Sequence, residues 1–339
     1  MPPGVLDVIG GTPLARLRGR PGGGELHGKL ELLNPFGMKD RVAKHILLEA
    51  RRRRLLAEGA PVVESSSGTL ALGLALVGGA LGHPVHIVTD PRIDPITSAK
   101  LLALGCRITV VERMTSRGWQ SARLERLRAI LDEHPGAFWP RQYENPENPA
   151  AYAELADELL RELGRVDVLV GPVGSGGSLC GTARRLRMAN PGLRVVAVDA
   201  VGSAIFGQPD RPGRLQSGLG NSMVPRNVDL GEIDEVHWLN DGEAFAATLE
   251  LARNEQLFAG SSSGSTYAVA RWLACRSPAG TRVVAILPDR GDRYAATLYS
   301  PEYRQEKGVE GTELPEEPVR VPYGTAVERW SWSPVERSR

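Results

Sequence analysis

A single lysine stands where it could do chemistry. It lies in Asn34-Pro35-Phe36-Gly37-Met38-Lys39-Asp40-Arg41, at the mouth of a helix predicted over residues 42–56. An amine in such a turn can form a Schiff base with a carbonyl compound and then take or give a proton. Its positive charge opposes the helix dipole, so helix formation alone does not ask for it. A second stretch, Gly174-Ser175-Gly176-Gly177-Ser178, follows the apolar run 166–171 and directly precedes a helix. Its glycines let consecutive amides converge on an anion, and the helix N-terminus adds a favourable dipole. The spacing departs from G-x-G-x-x-G, and the Gly-Lys-Ser/Thr of a Walker loop is absent. A small phosphorylated cofactor therefore fits better than NAD or ATP.

Two further small-residue loops precede helices. Ser65-Ser66-Ser67-Gly68-Thr69 offers hydroxyls and free amides suited to a carboxylate, and Gly260-Ser261-Ser262-Ser263-Gly264 repeats the design. Each loop alone also reads as a helix cap or a glycine turn. Three of them exceed what capping needs. A lysine together with a phosphate cradle suggests pyridoxal phosphate, whose aldehyde needs an amine and whose phosphate needs many donors.

The elements that must hold these loops form a βαβ rhythm. Strands are predicted at 61–64, 85–89, 107–111, 166–171, 193–200, 235–239 and 282–287, with a strand-like run at 30–33. Helices are predicted at 68–81, 95–104, 121–133, 149–163, 178–190, 241–255 and 265–275, which implies α/β architecture with parallel sheets covered by helices. Four prolines between 135 and 149 mark a domain crossing. Residues 301–339 are charged and carry Trp330 and Trp332, as a disordered tail or a partly docked strap would.

Composition excludes several classes. The 339 residues are 42% hydrophobic and 24% charged, and 41 basic side chains nearly cancel 40 acidic ones. Nothing points to nucleic acid or a membrane surface as partner. The run Arg51 to Arg54 reads as a solvated helix face. Cys106, Cys180 and Cys275 lack metal-ligand spacing and read as buried thiols, so no metal site is expected. His134 and His237 read as structural or surface residues. The N-terminus shows no signal pattern and no apolar run reaches spanning length, which leads us to expect a cytoplasmic protein.

Asn34 to Arg41 resembles the Asn-Pro-…-Lys-Asp-Arg signature of the cysteine synthase family, fold type II pyridoxal phosphate enzymes. Ile9 to Leu14, Glu64 to Thr69, Gln142 to Pro149, Gly174 to Ser178, Gly260 to Gly264 and Leu287 to Tyr294 are similar to its other landmarks, in the family's order. The resemblance covers residues 5–300. It implies two domains, each with a mostly parallel twisted sheet, and the cofactor in the cleft between them. Residues 1–38 with 141–300 would form the larger cofactor domain and 39–140 the smaller mobile substrate domain.

Carried over by residue, Lys39 is the Schiff-base lysine and general base. Gly174, Ser175, Gly176, Gly177 and Ser178 bind the phosphate, Ser262 faces the pyridine nitrogen, and Asp289 and Thr69 lie near the cofactor. Ser65, Ser66, Ser67, Gly68 and Thr69, with Gln142 and Gly218, hold the substrate. The implied reaction is β-replacement on O-acetyl- or O-phospho-L-serine through an aminoacrylate that a sulfur or amine nucleophile discharges, in a homodimer taking small-molecule substrates. Dehydratase-like elimination and a silent cofactor-binding protein are the alternatives. Two departures stand out. The spacing before Lys39 is one residue short and lacks a serine, and Thr69 replaces an asparagine. Arg214 and Arg226, flanking the Ser217 to Gly220 loop, are candidate phosphate donors for a phosphoserine substrate.

Overall fold

The computed structural model describes residues 4–115 and 118–336. Residues 1–3 and 337–339, at the ends of the expected segments, lie outside them. In chain order the elements are β1 (Leu14–Arg16), β2 (Glu25–Lys29), α1 (Lys39–Arg52), β3 (Val62–Ser65), α2 (Thr69–Ala80), β4 (Val85–Thr89), α3 (Pro95–Ala103), β5 (Arg107–Val110) and α4 (Trp119–Glu133). There follow α5 (Glu147–Ala150), α6 (Ala153–Leu163), β6 (Val168–Pro172), α7 (Gly177–Ala189), β7 (Arg194–Ala200), β8 (Glu235–Leu239), α8 (Asp241–Glu255), α9 (Ser261–Arg276), β9 (Arg282–Ile286), α10 (Pro301–Glu306), β10 (Val319–Arg320) and β11 (Ser331–Pro334).

Two sheets organise these elements. The larger has the order β1-β2-β9-β6-β7-β8-β11-β10, and its run from β2 to β8 is parallel. The smaller is the parallel trio β3-β4-β5. Strands β3, β4, β6 and β8 are buried along their whole length, as parallel strands covered on both faces must be. Local chemistry fixes several helix starts. Asp94 caps α3 by accepting from the Thr97 amide, with Pro95 as its first residue, and Asn240 with Glu243 forms a capping box on α8.

The structure departs from the sequence expectations at four places. Residues 30–33 form no strand: Glu31–Leu33 is a 3₁₀ turn, held by the Asn34 amide and side chain on the Glu31 carbonyl. The Leu-Glu-Leu alternation imitates a strand, whereas the true one, β2, ends in Lys29, buried by its 2.7 Å pairing with Glu158. The helix expected at 149–163 is split into α5 and α6, and Pro149 sits in the first turn of α5, where its missing N–H costs nothing. Residues 261–264 are already the first turn of α9, with Gly260 as N-cap. Cys275 is half-buried, unlike Cys106 and Cys180.

The C-terminal segment joins the larger sheet. β11 pairs antiparallel with β8, Ser331 opposite Trp238, and covers what is otherwise an edge. Trp330 is buried and donates its indole N–H to Nδ1 of buried His237 at 3.1 Å. That histidine is structural.

Candidate active site

Lys39 is placed by the residues around it. Gly37 takes φ +126, and a Cβ there would stand 3.0 Å from the Pro288 carbonyl, so only glycine lets the turn lie against the end of β9. The Met38 amide then donates to that carbonyl at 2.9 Å. Asp40 folds back to accept from the Phe36 amide at 2.7 Å, and burial pushes its carboxyl up to about 7. Arg41 drives into a buried knot, donating to Glu31 at 2.8 and 2.9 Å and to Glu158 at 2.8 Å. Burial opposes its charge, but those carboxylates keep it protonated; Glu158, despite its own burial, is held down to about 2 by Arg41 and Lys29.

The N-terminal turn belongs to the same knot. The Gly10 amide donates to Asn34 Oδ1 at 2.9 Å, the Gly11 amide to Glu158 at 2.8 Å, and the Thr12 hydroxyl to Glu31 at 2.5 Å. Removing one partner from such a buried network costs about 3–5 kcal/mol. The polar flanking residues Asn34, Asp40 and Arg41 are thus consumed by structure, and Lys39 is left for the cleft.

The cleft is a cavity of about 670 Å³ whose wall includes Lys39, Gln142, Gly174, Ser175, Gly218 and Ser262. Burial brings the Lys39 amine down to about 8, with Asp289 pulling the other way. Its Nζ lies 3.5 Å from the Tyr152 hydroxyl, a partner that no motif in the chain announces. Ser262 is fully buried, with its Oγ 3.4 Å from Asp289 Oδ1. The other Asp289 oxygen accepts from Tyr294 at 2.7 Å, and burial raises this carboxyl's pKa.

The expected anion loops face the same space. Gly174 and Ser175 reach the wall, while Gly176, Gly177 and Ser178 form the cap and first turn of α7 beside them. The first amides of that helix have no intrahelical acceptor. A Cβ on Gly177 would fall 2.1 Å from Asn148 Oδ1, and Asn148 Nδ2 donates to Ser175 Oγ at 3.1 Å. Ser66, Ser67, Gly68 and Thr69 line the cavity opposite. Ser65 is not among the lining residues: its carbonyl instead accepts from Gln142 Nε2 at 3.0 Å, which fixes the glutamine.

Charge on the wall is lopsided. Lys39, Arg92, Arg123, Arg214, Arg293 and Lys307 face one carboxylate, Asp289. Sequence reading missed Arg92, Arg123, Arg293 and Lys307, because each becomes significant only through tertiary placement. The arginines it singled out fare differently. Arg226 is a surface residue, 84% exposed, and is absent from the wall. Arg214 reaches the wall, but its guanidinium is engaged by Gly202 O, Arg211 O, Asp210 and Ser222 and clips its own loop together.

Residues 5–289 match the family described as pyridoxal-phosphate dependent enzyme. The chain is 41% identical over 305 residues to N-(2-amino-2-carboxyethyl)-L-glutamate synthase of Ralstonia nicotianae, covering 88% of this chain and 90% of that protein. Among solved structures, O-ureido-L-serine synthase superposes with a TM-score of 0.81 at 31% identity, over 91% of this chain and 96% of that one. O-acetyl serine sulfhydrylase isoform 3 from Entamoeba histolytica gives 0.81 at 28%, over 90% and 95%. The chain belongs to the pyridoxal-phosphate dependent enzyme family, in its cysteine-synthase-like, fold type II branch.

Proposed function

We propose that this chain binds pyridoxal 5′-phosphate and catalyses β-replacement, joining the amine of an acidic amino acid to the β-carbon of an O-activated L-serine. The observation that carries the reading is the wall just described: a buried amine among small-residue loops that open helices, with six basic side chains, Lys39 included, against one carboxylate. The activity for which the 41%-identical relative is named supports the nucleophile, since that product is L-glutamate whose amine bears a 2-amino-2-carboxyethyl group. That group is the three-carbon skeleton of serine, attached through Cβ.

The residues fit the cofactor. Gly176 and Gly177 leave no room for a Cβ, with Asn227 O at 2.7 Å and Asn148 Oδ1 at 2.1 Å from the respective positions, so this turn is built for backbone amides and not for side chains. Amides of Gly174 to Ser178, with the Ser175 and Ser178 hydroxyls, would hold the phosphate. Ser262 would hydrogen-bond the ring nitrogen, with Asp289 behind it. A hydroxyl there does not hold that nitrogen protonated as a carboxylate would, which favours β-elimination chemistry over transamination. Bound cofactor supplies the electron sink that makes the substrate's α-hydrogen acidic.

Lys39 would hold the cofactor through its amine, and that amine is placed to take the substrate's α-proton. Ser66, Ser67, Gly68, Thr69 and Gln142 hold the serine carboxylate, with Gly218 on the facing loop. Residues 39–140 form the unit that closes over it and keeps water from the β-carbon. The same reading includes a homodimer in the cytoplasm with small-molecule partners; light scattering in solution checks the first.

The test is a nucleophile panel. Holoenzyme is given O-acetyl- or O-phospho-L-serine with L-glutamate, L-glutamine, sulfide or thiosulfate, and product masses are recorded. The mass of the glutamate adduct is the expected result. Pyruvate release that no nucleophile suppresses would make the protein an eliminating lyase.

A further inference from the structure

The cleft carries more positive charge than the roles above use. Arg123 is 9% exposed and donates to Ser67 Oγ at 3.3 Å, so it belongs with the carboxylate loop. Arg293 is 17% exposed, pairs with Asp94 at 3.3 Å and lies against Gly68. Arg214 is consumed within its own loop. Two cations remain, and they are the most solvent-accessible on the wall. Arg92, just after β4, is 56% exposed and grips buried Asp90 at 2.9 and 3.1 Å. Asp90 also faces Arg123 at 3.4 Å, so two guanidiniums share one carboxylate and a positive charge is left over.

Lys307 is the other. It follows α10 directly, beyond the family match that ends at residue 289, and is 36% exposed. Its ammonium sits 5.4 Å from the Tyr303 ring centroid and 2.8 Å from exposed Glu306. The helix beneath it is fixed. Buried Arg304 donates to Leu298 O at 2.6 Å and to Glu310 at 2.5 Å, and Tyr303 packs against a cluster containing Tyr294 and Leu298. An ammonium at the end of an anchored helix is a placed charge.

We propose that Arg92 and Lys307 form a subsite for the side-chain carboxylate of the acidic amino-acid nucleophile, so that the C-terminal segment sets specificity for the second substrate. The inference rests on the amine-transfer reading above. One cation comes from the turn after β4 and the other from the C-terminal segment, and both line the cavity that holds Lys39. Half-exposed charges at a cleft mouth both steer and retain such a ligand.

The experiment compares kcat/KM for L-glutamate and its neutral isostere L-glutamine in wild type, Arg92→Met, Lys307→Met and Lys307→Arg. The wild type favours glutamate. In each methionine variant the glutamate-to-glutamine ratio falls about tenfold, through KM for glutamate, as one charge-assisted contact is lost. Lys307→Arg restores most of it. A general lesion scales both amines equally, so an unchanged ratio in both methionine variants overturns the subsite. If wild type adds neither amine while another nucleophile reacts, the amine-transfer reading itself fails and the subsite falls with it.

Discussion

Two serine-rich stretches open helices on the cleft, and they could hardly differ more in surroundings. Ser261, Ser262 and Ser263 at the head of α9 are at most 1% exposed, while Ser67, Gly68 and Thr69 at the head of α2 are only half-buried. A Cβ on Gly264 would meet Thr248 Oγ1 at 2.1 Å and its Cα at 2.5 Å; one on Gly68 would meet the far end of the Arg293 side chain at 3.2 Å. The first stretch is bolted to backbone, and the second faces flexible cations. Like composition therefore serves two ends: under the proposed function, the rigid turn would fix the cofactor's ring and the looser one would meet the substrate.

The strongest way to break this comparison is to remove the amine between the two turns. Lys39→Ala is expected to lower turnover at least about a thousandfold, while thermal unfolding of the protein stays cooperative. Next come the paired glycines. Gly264→Ala is expected to cost about 3 kcal/mol of stability, read as a shifted urea midpoint, because backbone cannot yield to the new methyl. Gly68→Ala is expected to leave that midpoint in place and raise KM for the activated serine about tenfold. Equal stability losses at the two glycines would erase the distinction.

The smallest effect is a titration. Asp289 raises the Lys39 pKa against the larger effect of burial, so Asp289→Asn moves it below its value of about 8. In the cofactor-free protein, labelling of Lys39 by an amine reagent then inflects at lower pH. The stability linkage has a definite sign. The folded lysine binds its proton less tightly than the unfolded one, so stability rises between about pH 8 and the ordinary 10.5. The asparagine variant extends that window downward; an unmoved inflection means that Asp289 does not face the amine.

Local signals in the chain sufficed for the parallel strands from β3 to β9, most of which leave short apolar runs, but not for β2, and they located the three small-residue loops that open helices. They failed where a residue's meaning is set by a distant partner. Lys29 and Glu31 are charged residues with no motif of their own, yet they are buried against Glu158 and Arg41. Tyr152 and Arg123 have no motif of their own. Lys307 lies outside the resemblance altogether, just past a helix placed by Arg304. Conversely, Arg214 looked like a free donor from sequence and is spent on its own loop.

The central claim is that Lys39 holds the cofactor. The chain has five lysines, Lys29, Lys39, Lys44, Lys100 and Lys307, so the claim can be read at residue level. Borohydride reduction of the holoenzyme followed by peptide mapping should find the phosphopyridoxyl group on Lys39 and on no other lysine. A label on another lysine, or none on a yellow protein, would contradict the account.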